Sequence, residues 1–198
     1  MTDFEGFFRA YQDLASLNET GTRPVAILVA GVPGTGKSTL AEGLARSLRA
    51  PVFSMDWQLG ALTPFRVLTD ENVGPLAEMM LIAALARQLQ LGLDAVIDAT
   101  GHEVAARGRY RATADALGAR FVGVECVCCD ETVHRARIEG RDRGIPGWHG
   151  TVSWDHVLRM KKAWEMWDEP HLVVDSATQS AAAVLGRVLE EVAIARAM

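Results

Sequence analysis

Gly31-Val32-Pro33-Gly34-Thr35-Gly36-Lys37-Ser38 satisfies the pattern G-x-x-x-x-G-K-[ST] at every fixed position. An apolar, β-rich run, Val25 to Ala30, leads into it. Thr39 to Leu48 follows, with Leu40, Leu44 and Leu48 four apart on one helical face. The octet therefore lies between a buried strand and a helix, the setting in which such a loop binds phosphate. Its glycines admit backbone conformations closed to other residues and bring N–H groups close to an anion. Lys37 is placed to reach the β- and γ-phosphates of a nucleoside triphosphate, and the Ser38 hydroxyl to bind Mg²⁺. Gly31 through Ser38, with Thr39, form the expected nucleotide-binding set.

The bulk properties narrow the class. A chain of 198 residues, 49% hydrophobic, suits one globular domain with a substantial core. Its net charge of −5 supplies no overall basic field to recruit nucleic acid. The first residues lack the basic start, apolar run and cleavage site of a secretory signal. The longest apolar stretch, Leu76 to Leu93, is interrupted by Glu78, Arg87 and Gln88. It reads as a buried helix, not a membrane crossing. Cys126, Cys128 and Cys129 lie too close together for an ordinary crosslinked framework, so reduced thiols and a cytoplasmic protein are expected.

Outward from the loop, strands alternate with helices. Residues 2–17 place Phe4, Phe7, Phe8, Tyr11 and Leu14 on one helical stripe, with Thr2 and Glu5 spaced as a capping box. Residues 1–23 are thus expected to be an amphipathic helix packed on a domain spanning 24–198. Further strands are expected at Val52–Met55, Ala95–Asp98, Arg120–Val127 and Leu172–Asp175. Helices are expected at 71–91, 102–117, 131–140, 154–167 and at the carboxyl end, and a loop over 57–69. The pattern predicts an α/β fold, a three-layer sandwich with a five-stranded parallel sheet and helices on both faces. Ligands in such sheets gather at the carboxyl ends of the strands.

The residues with chemistry fall at those ends. Asp56, just past the second strand, is placed to take a proton from an attacking hydroxyl, although a metal-linked role stays open. Asp98 closes the third strand, where an acidic residue orients Mg²⁺ through its water shell; a helix cap is the plainer alternative. Ala99 stands where hydrolytic machines commonly carry a water-activating glutamate, and no Asn-Lys-x-Asp motif is present to read guanine. Both absences favour transfer to a substrate over hydrolysis. His134, Arg137 and Arg141 share one helical face, and Arg143 follows in a glycine-bearing loop. Residues 137–153 read as a lid whose arginines neutralise transition-state charge, a solvated face being the alternative. Trp57, Trp148 and His149 are candidates to touch an organic substrate, whereas Trp164 and Trp167 have the spacing of core residues on a helix.

With these residues assembled, the chain resembles the small P-loop kinases grouped as AAA_33-type ATP-binding proteins, and among them the kinase domain of phage-type polynucleotide 5′-hydroxyl kinase. Four features carry the resemblance: G-V-P-G-T-G-K-S-T, Asp56 after the second strand, V-I-D-A-T at 96–100 and R-I-E-G-R at 137–141. It implies ATP and Mg²⁺ as cofactors, Lys37 and Ser38 on triphosphate and metal, Asp56 as general base and Arg141 on the transferring phosphoryl. The polynucleotide kinases carry an arginine shortly after the base aspartate to grip the substrate's own phosphate. Here the sequence is Trp57-Gln58-Leu59. A neutral or cationic small molecule bearing a hydroxyl therefore fits better than nucleic acid. A 5′-hydroxyl kinase and a nucleotide-binding accessory ATPase remain the alternatives, and the oligomeric state is not legible.

Overall fold

The strand that feeds the glycine loop is buried on both sides, and its side chains alternate between two cores. Val25, Ile27 and Val29 enter one core; Ala26, Leu28 and Ala30 enter the other. Successive side chains of a strand point to opposite faces, so a run apolar at both parities must be covered on both. The computed structural model describes residues 4–17, 21, 23–139, 144–147 and 152–198. In it this strand, β1 (Val25–Ala30), is the centre of a five-stranded parallel sheet. The order is β2 (Val52–Ser54), β3 (Ala95–Asp98), β1, β4 (Arg120–Val127), β5 (Leu172–Asp175).

Helices α2 (Lys37–Leu48) and α8 (Ala181–Ala197) cover one face, burying Leu40, Leu44, Val184, Val188 and Val192 against the odd-numbered side chains of β1. Helices α4 (Val73–Gln90) and α5 (Val104–Ala116) cover the other, through Leu81, Ile82, Leu85, Leu89 and Tyr110. Each such aliphatic side chain contributes roughly 1.5–3 kcal/mol when fully buried. The fold is the expected three-layer α/β sandwich. Helix α1 (Phe4–Gln12) lies on α4 and α5, with Phe8 only 5% exposed. Two shorter helices, α6 (Glu131–Ile138) and α7 (Trp154–Lys162), meet around Val32, Ile138 and Val157 beside the glycine loop.

Two expectations are corrected. Residues 57–69 are not a loop throughout: helix α3 (Met55–Leu62) and a 3₁₀ turn, Thr63–Phe65, occupy most of it. Gly60 is accommodated inside α3, and Pro64 starts the tighter turn instead of ending the helix earlier. The helix expected over 154–167 stops at Lys162. Trp164 and Trp167 still pack on the core, but from an irregular segment held by side chains of α5. Cys126 and Cys128 are buried, Cys129 is exposed, and all three are free. Burial pushes the Cys126 thiol up to about 12. No helix among the described residues is long and apolar enough to cross a membrane.

Candidate active site

Strand β1 lies between β3 and β4, so the chain winds away from it in both directions, and the loop that follows opens at this switch point. Gly34 and Gly36 take φ of +87° and +88°, a region costly for residues with a Cβ. At Gly31 an added Cβ would lie 2.5 Å from the Cys126 carbonyl oxygen. The loop is pinned by Gly31 N–H donating to the Thr100 carbonyl at 3.0 Å and Thr35 Oγ1 to the Val32 carbonyl at 2.9 Å. Gly36 then caps α2, whose first turn holds Lys37 and Ser38. A glycine cradle opening on a helix N-terminus suits a polyphosphate.

Helix α6 is clamped onto this loop. His134, fully buried, donates from Nε2 to the Pro33 carbonyl at 2.8 Å, and its ring meets Trp154 edge-on at 5.2 Å. A Cβ on Gly34 would approach Ile138 Cδ1 to 2.8 Å and His134 Cδ2 to 2.9 Å. The face shared by His134 and Arg137 is therefore split: His134 holds the loop, and Arg137 turns to β5. Arg137 donates to Ser176 Oγ at 2.6 Å and to the Ser176 carbonyl at 2.9 Å, with Cys128 Sγ at 3.6 Å. Arg141, Arg143, Trp148 and His149, and with them most of the expected lid, lie outside the described residues, as does Thr2 of the capping box.

At the end of β3, Asp98 is aligned with Ser54 on one side and Val29 on the other. Ser54 Oγ donates to Asp98 Oδ2 at 3.1 Å. Oδ1 is buried with no hydrogen-bond partner among the described residues. The cap alternative is removed, because Glu103 occupies the N-cap of α5. A buried carboxylate oxygen left without a protein donor suits the hydration shell of a hard divalent cation. Asp56 falls in the first turn of α3 and lines a cavity that also reaches Lys37. Trp57, its neighbour, is 55% exposed and does not line the cavity that Asp56 lines. Consecutive helical residues point about 100° apart, which separates the two.

Among the described residues, two cavities reach Lys37. One, about 680 Å³, runs from the phosphate loop along α2 to Arg137, Ser176, Gln179 and Leu185. The other, about 550 Å³, is walled by Asp56, Ala99–Glu103, α4, α5 and α1. Lys37, Pro33 and Val152 border both. The β5–α8 side of the first cavity was not singled out from sequence. Asp175-Ser176 at a strand's carboxyl end was the available signal, since that rule had already located Asp56 and Asp98.

Residues 27–166 match the profile of the AAA_33 family (AAA domain), more than two thirds of the chain. The chain belongs to the AAA_33 family. No curated protein sequence matches it. Solved structures share the fold of this family member. A candidate kinase from Chloroflexus aurantiacus superposes with a TM-score of 0.71 at 22% identity, covering 88% of this chain and 99% of that one. A sugar kinase from a Janibacter species gives 0.63 at 21% identity, with coverages of 89% and 97%. Kti12 from Chaetomium thermophilum, solved with ADP-AlF3, gives 0.64 at 17% identity, with coverages of 87% and 99%.

Proposed function

We propose that the protein is an ATP-dependent kinase that moves the γ-phosphate of ATP to a hydroxyl of a small molecule. The observation that carries this reading is the pair of separate cavities that both border Lys37. A hydrolase needs room for a nucleotide and one water; a second, mainly apolar chamber of about 550 Å³ suits an organic acceptor. On this reading the first cavity takes ATP, with the backbone from Gly31 to Thr39 around the phosphates and Ser176, Gln179 and Leu185 along the nucleoside. Ser38 and Asp98 would hold Mg²⁺, which would supply neutralisation of phosphate charge.

Lys37 draws the γ-phosphate toward the boundary of the two cavities. Asp56 faces the acceptor chamber and accepts the hydroxyl proton as the oxygen attacks in line. Arg137, fixed by Ser176, and Arg141 from the lid offset charge on the transferring group. The anchoring of Arg137 to Ser176, beside the first cavity, supports a role on the nucleotide side. The likeness to Kti12, solved with ADP-AlF3, supports a second reading, a nucleotide-binding accessory ATPase.

ADP release measured across sugars, nucleosides, amino alcohols and 5′-hydroxyl oligonucleotides tests both. Stimulation by a small alcohol, with phosphate recovered on that compound, is the expected result. Stimulation only by a protein partner would replace the kinase reading with the accessory one.

A further inference from the structure

Helix α1 precedes the nucleotide-binding core in the chain, yet it forms part of the acceptor chamber. Phe4 and Phe8, one helical turn apart, both line it. The helix is anchored there: the Arg109 guanidinium lies 4.8 Å over the Phe8 ring, and Glu5 approaches Arg109 Nη1 to 3.9 Å. Leu59 of α3 and Met160 of α7 complete an apolar body to the chamber.

Its charge is unbalanced. Glu5, Asp56, Glu78 and Glu103 line it against Lys37 and Arg109, with two imidazoles, His102 and His156. Lys37 is engaged by phosphate on the reading above. Arg109 is held by Glu78 through two short bonds, 2.6 and 2.8 Å, both side chains being largely buried. Hydrogen bonding to Glu78 raises the Arg109 pKa further, so its charge is fixed and matched within the protein. What remains facing the acceptor is acidic and hydrophobic. An anionic or densely hydroxylated substrate would find few free donors there and would lose its hydration against phenyl rings.

We propose that α1 is the specificity wall of this chamber, and that the acceptor is an amphiphilic organic cation: a hydroxyl compound with a ring-sized apolar body and a protonated amine. The hydroxyl rests on the kinase reading; the apolar body and the charge rest on the cavity alone.

The test uses the full chain with ADP and Mg²⁺ and three probes: phenylalaninol, 3-phenyl-1-propanol and gluconate. Ligand-observed saturation-transfer NMR reads occupancy, and phosphate transfer from ATP is followed separately. Phenylalaninol should bind best, the neutral phenyl alcohol next and gluconate least. Losing the Phe4 ring contact is expected to weaken both phenyl probes about tenfold in Phe4→Ser, a conservative share of a buried aromatic's contribution. Glu103→Gln should weaken phenylalaninol selectively, and Glu5→Gln, at an exposed position, should do the same. Gluconate binding as well as phenylalaninol, or Phe4→Ser leaving both phenyl probes unchanged, would overturn the proposal. Phenylalaninol binding with these dependences but receiving no phosphate upholds the acceptor class and removes the transfer step. Transfer to gluconate without phenylalaninol binding does the reverse.

Discussion

Asp56 follows β2 and Asp98 closes β3, at the end of the sheet where the phosphate loop opens, and their surroundings differ. Asp98 is 4% exposed, with one oxygen on Ser54 and the other lacking a donor among the described residues. Asp56 stands in the first turn of α3 and lines the second cavity. Asp56→Asn keeps shape but cannot take a proton, so transfer should fall roughly 10²–10⁴-fold. Slow release of γ-phosphate to water should change far less, since bulk water needs no positioned base; labelled product and free phosphate from one reaction measure both. A parallel fall in the two would assign Asp56 to the metal instead. His134 gives a pH prediction. Burial lowers its pKa most, the Pro33 carbonyl opposes that, Lys161 and Arg137 add to the lowering, and Glu131 opposes it. The folded state thus holds His134 neutral while the unfolded chain protonates near pH 6.5. Its contribution is complete above that value and is lost as pH falls through it toward the lower folded pKa. Melting temperature should drop from pH 7.5 to 5.5, and the drop should be smaller in His134→Gln. Strand-end aspartates were legible because position alone marks them. The uses of Ser54 and His134 were not, since their partners lie 44 and 101 residues away in sequence.

Among the elements, β1, α2, β3, β4 and β5 were readable because each carries one unbroken period of apolar residues. Helix α3 was hidden by Gly60 and Pro64, which mark turns locally but are tolerated here while Leu59 is buried. The end of α7 was hidden for a different reason. Trp164 and Trp167 keep helical spacing after Ala163, yet tertiary bonds draw them into an irregular segment. Arg107, 3% exposed, donates to the carbonyls of Gly101, Glu165 and Met166 at 2.7, 2.9 and 3.0 Å. Its guanidinium lies 4.7 Å from the Trp167 ring centre, and Trp167 stacks on His171 at 4.4 Å. Gly123 on β4 leaves the room: a Cβ there would come within 2.6 Å of the Trp167 ring. Arg107 thereby ties the segment after β3, which follows Asp98, to the segment that returns from α7. Arg107→Met should cost about 2–4 kcal/mol, because charge-assisted bonds are removed and carbonyls are left unpaired. The urea midpoint measures this, and a loss under about 0.5 kcal/mol, the size of an ordinary surface change, would contradict the assigned role.

At the scale of the whole molecule, both cores pack on one sheet, and the two cavities open where its strands end. Stabilising the phosphate loop therefore stabilises every strand beside it, with α1 included through Phe8 on α4 and α5. A ligand that binds only the folded chain adds RT ln(1 + [L]/Kd), about 2.7 kcal/mol at a hundredfold excess over Kd. For a chain of this size each kcal/mol moves the melting point by about 2–4 °C, so saturating ATP with Mg²⁺ should raise it by about 5–10 °C. The unfolding should stay a single transition with and without nucleotide, α1 melting with the rest. Two transitions would instead mark residues 1–23 as a unit that folds apart from the domain. On the reading that Asp98 and Ser38 hold Mg²⁺ beside the phosphates, chelating the metal should shrink the rise. Lys37→Ala should nearly abolish it while leaving the unliganded melting point close to wild type. Lys37 belongs to neither hydrophobic core, and on the kinase reading its charge serves the phosphates. Differential scanning fluorimetry on both proteins, with and without ATP and Mg²⁺, reads all of these shifts together. An undiminished rise in Lys37→Ala would place the nucleotide somewhere other than the glycine loop.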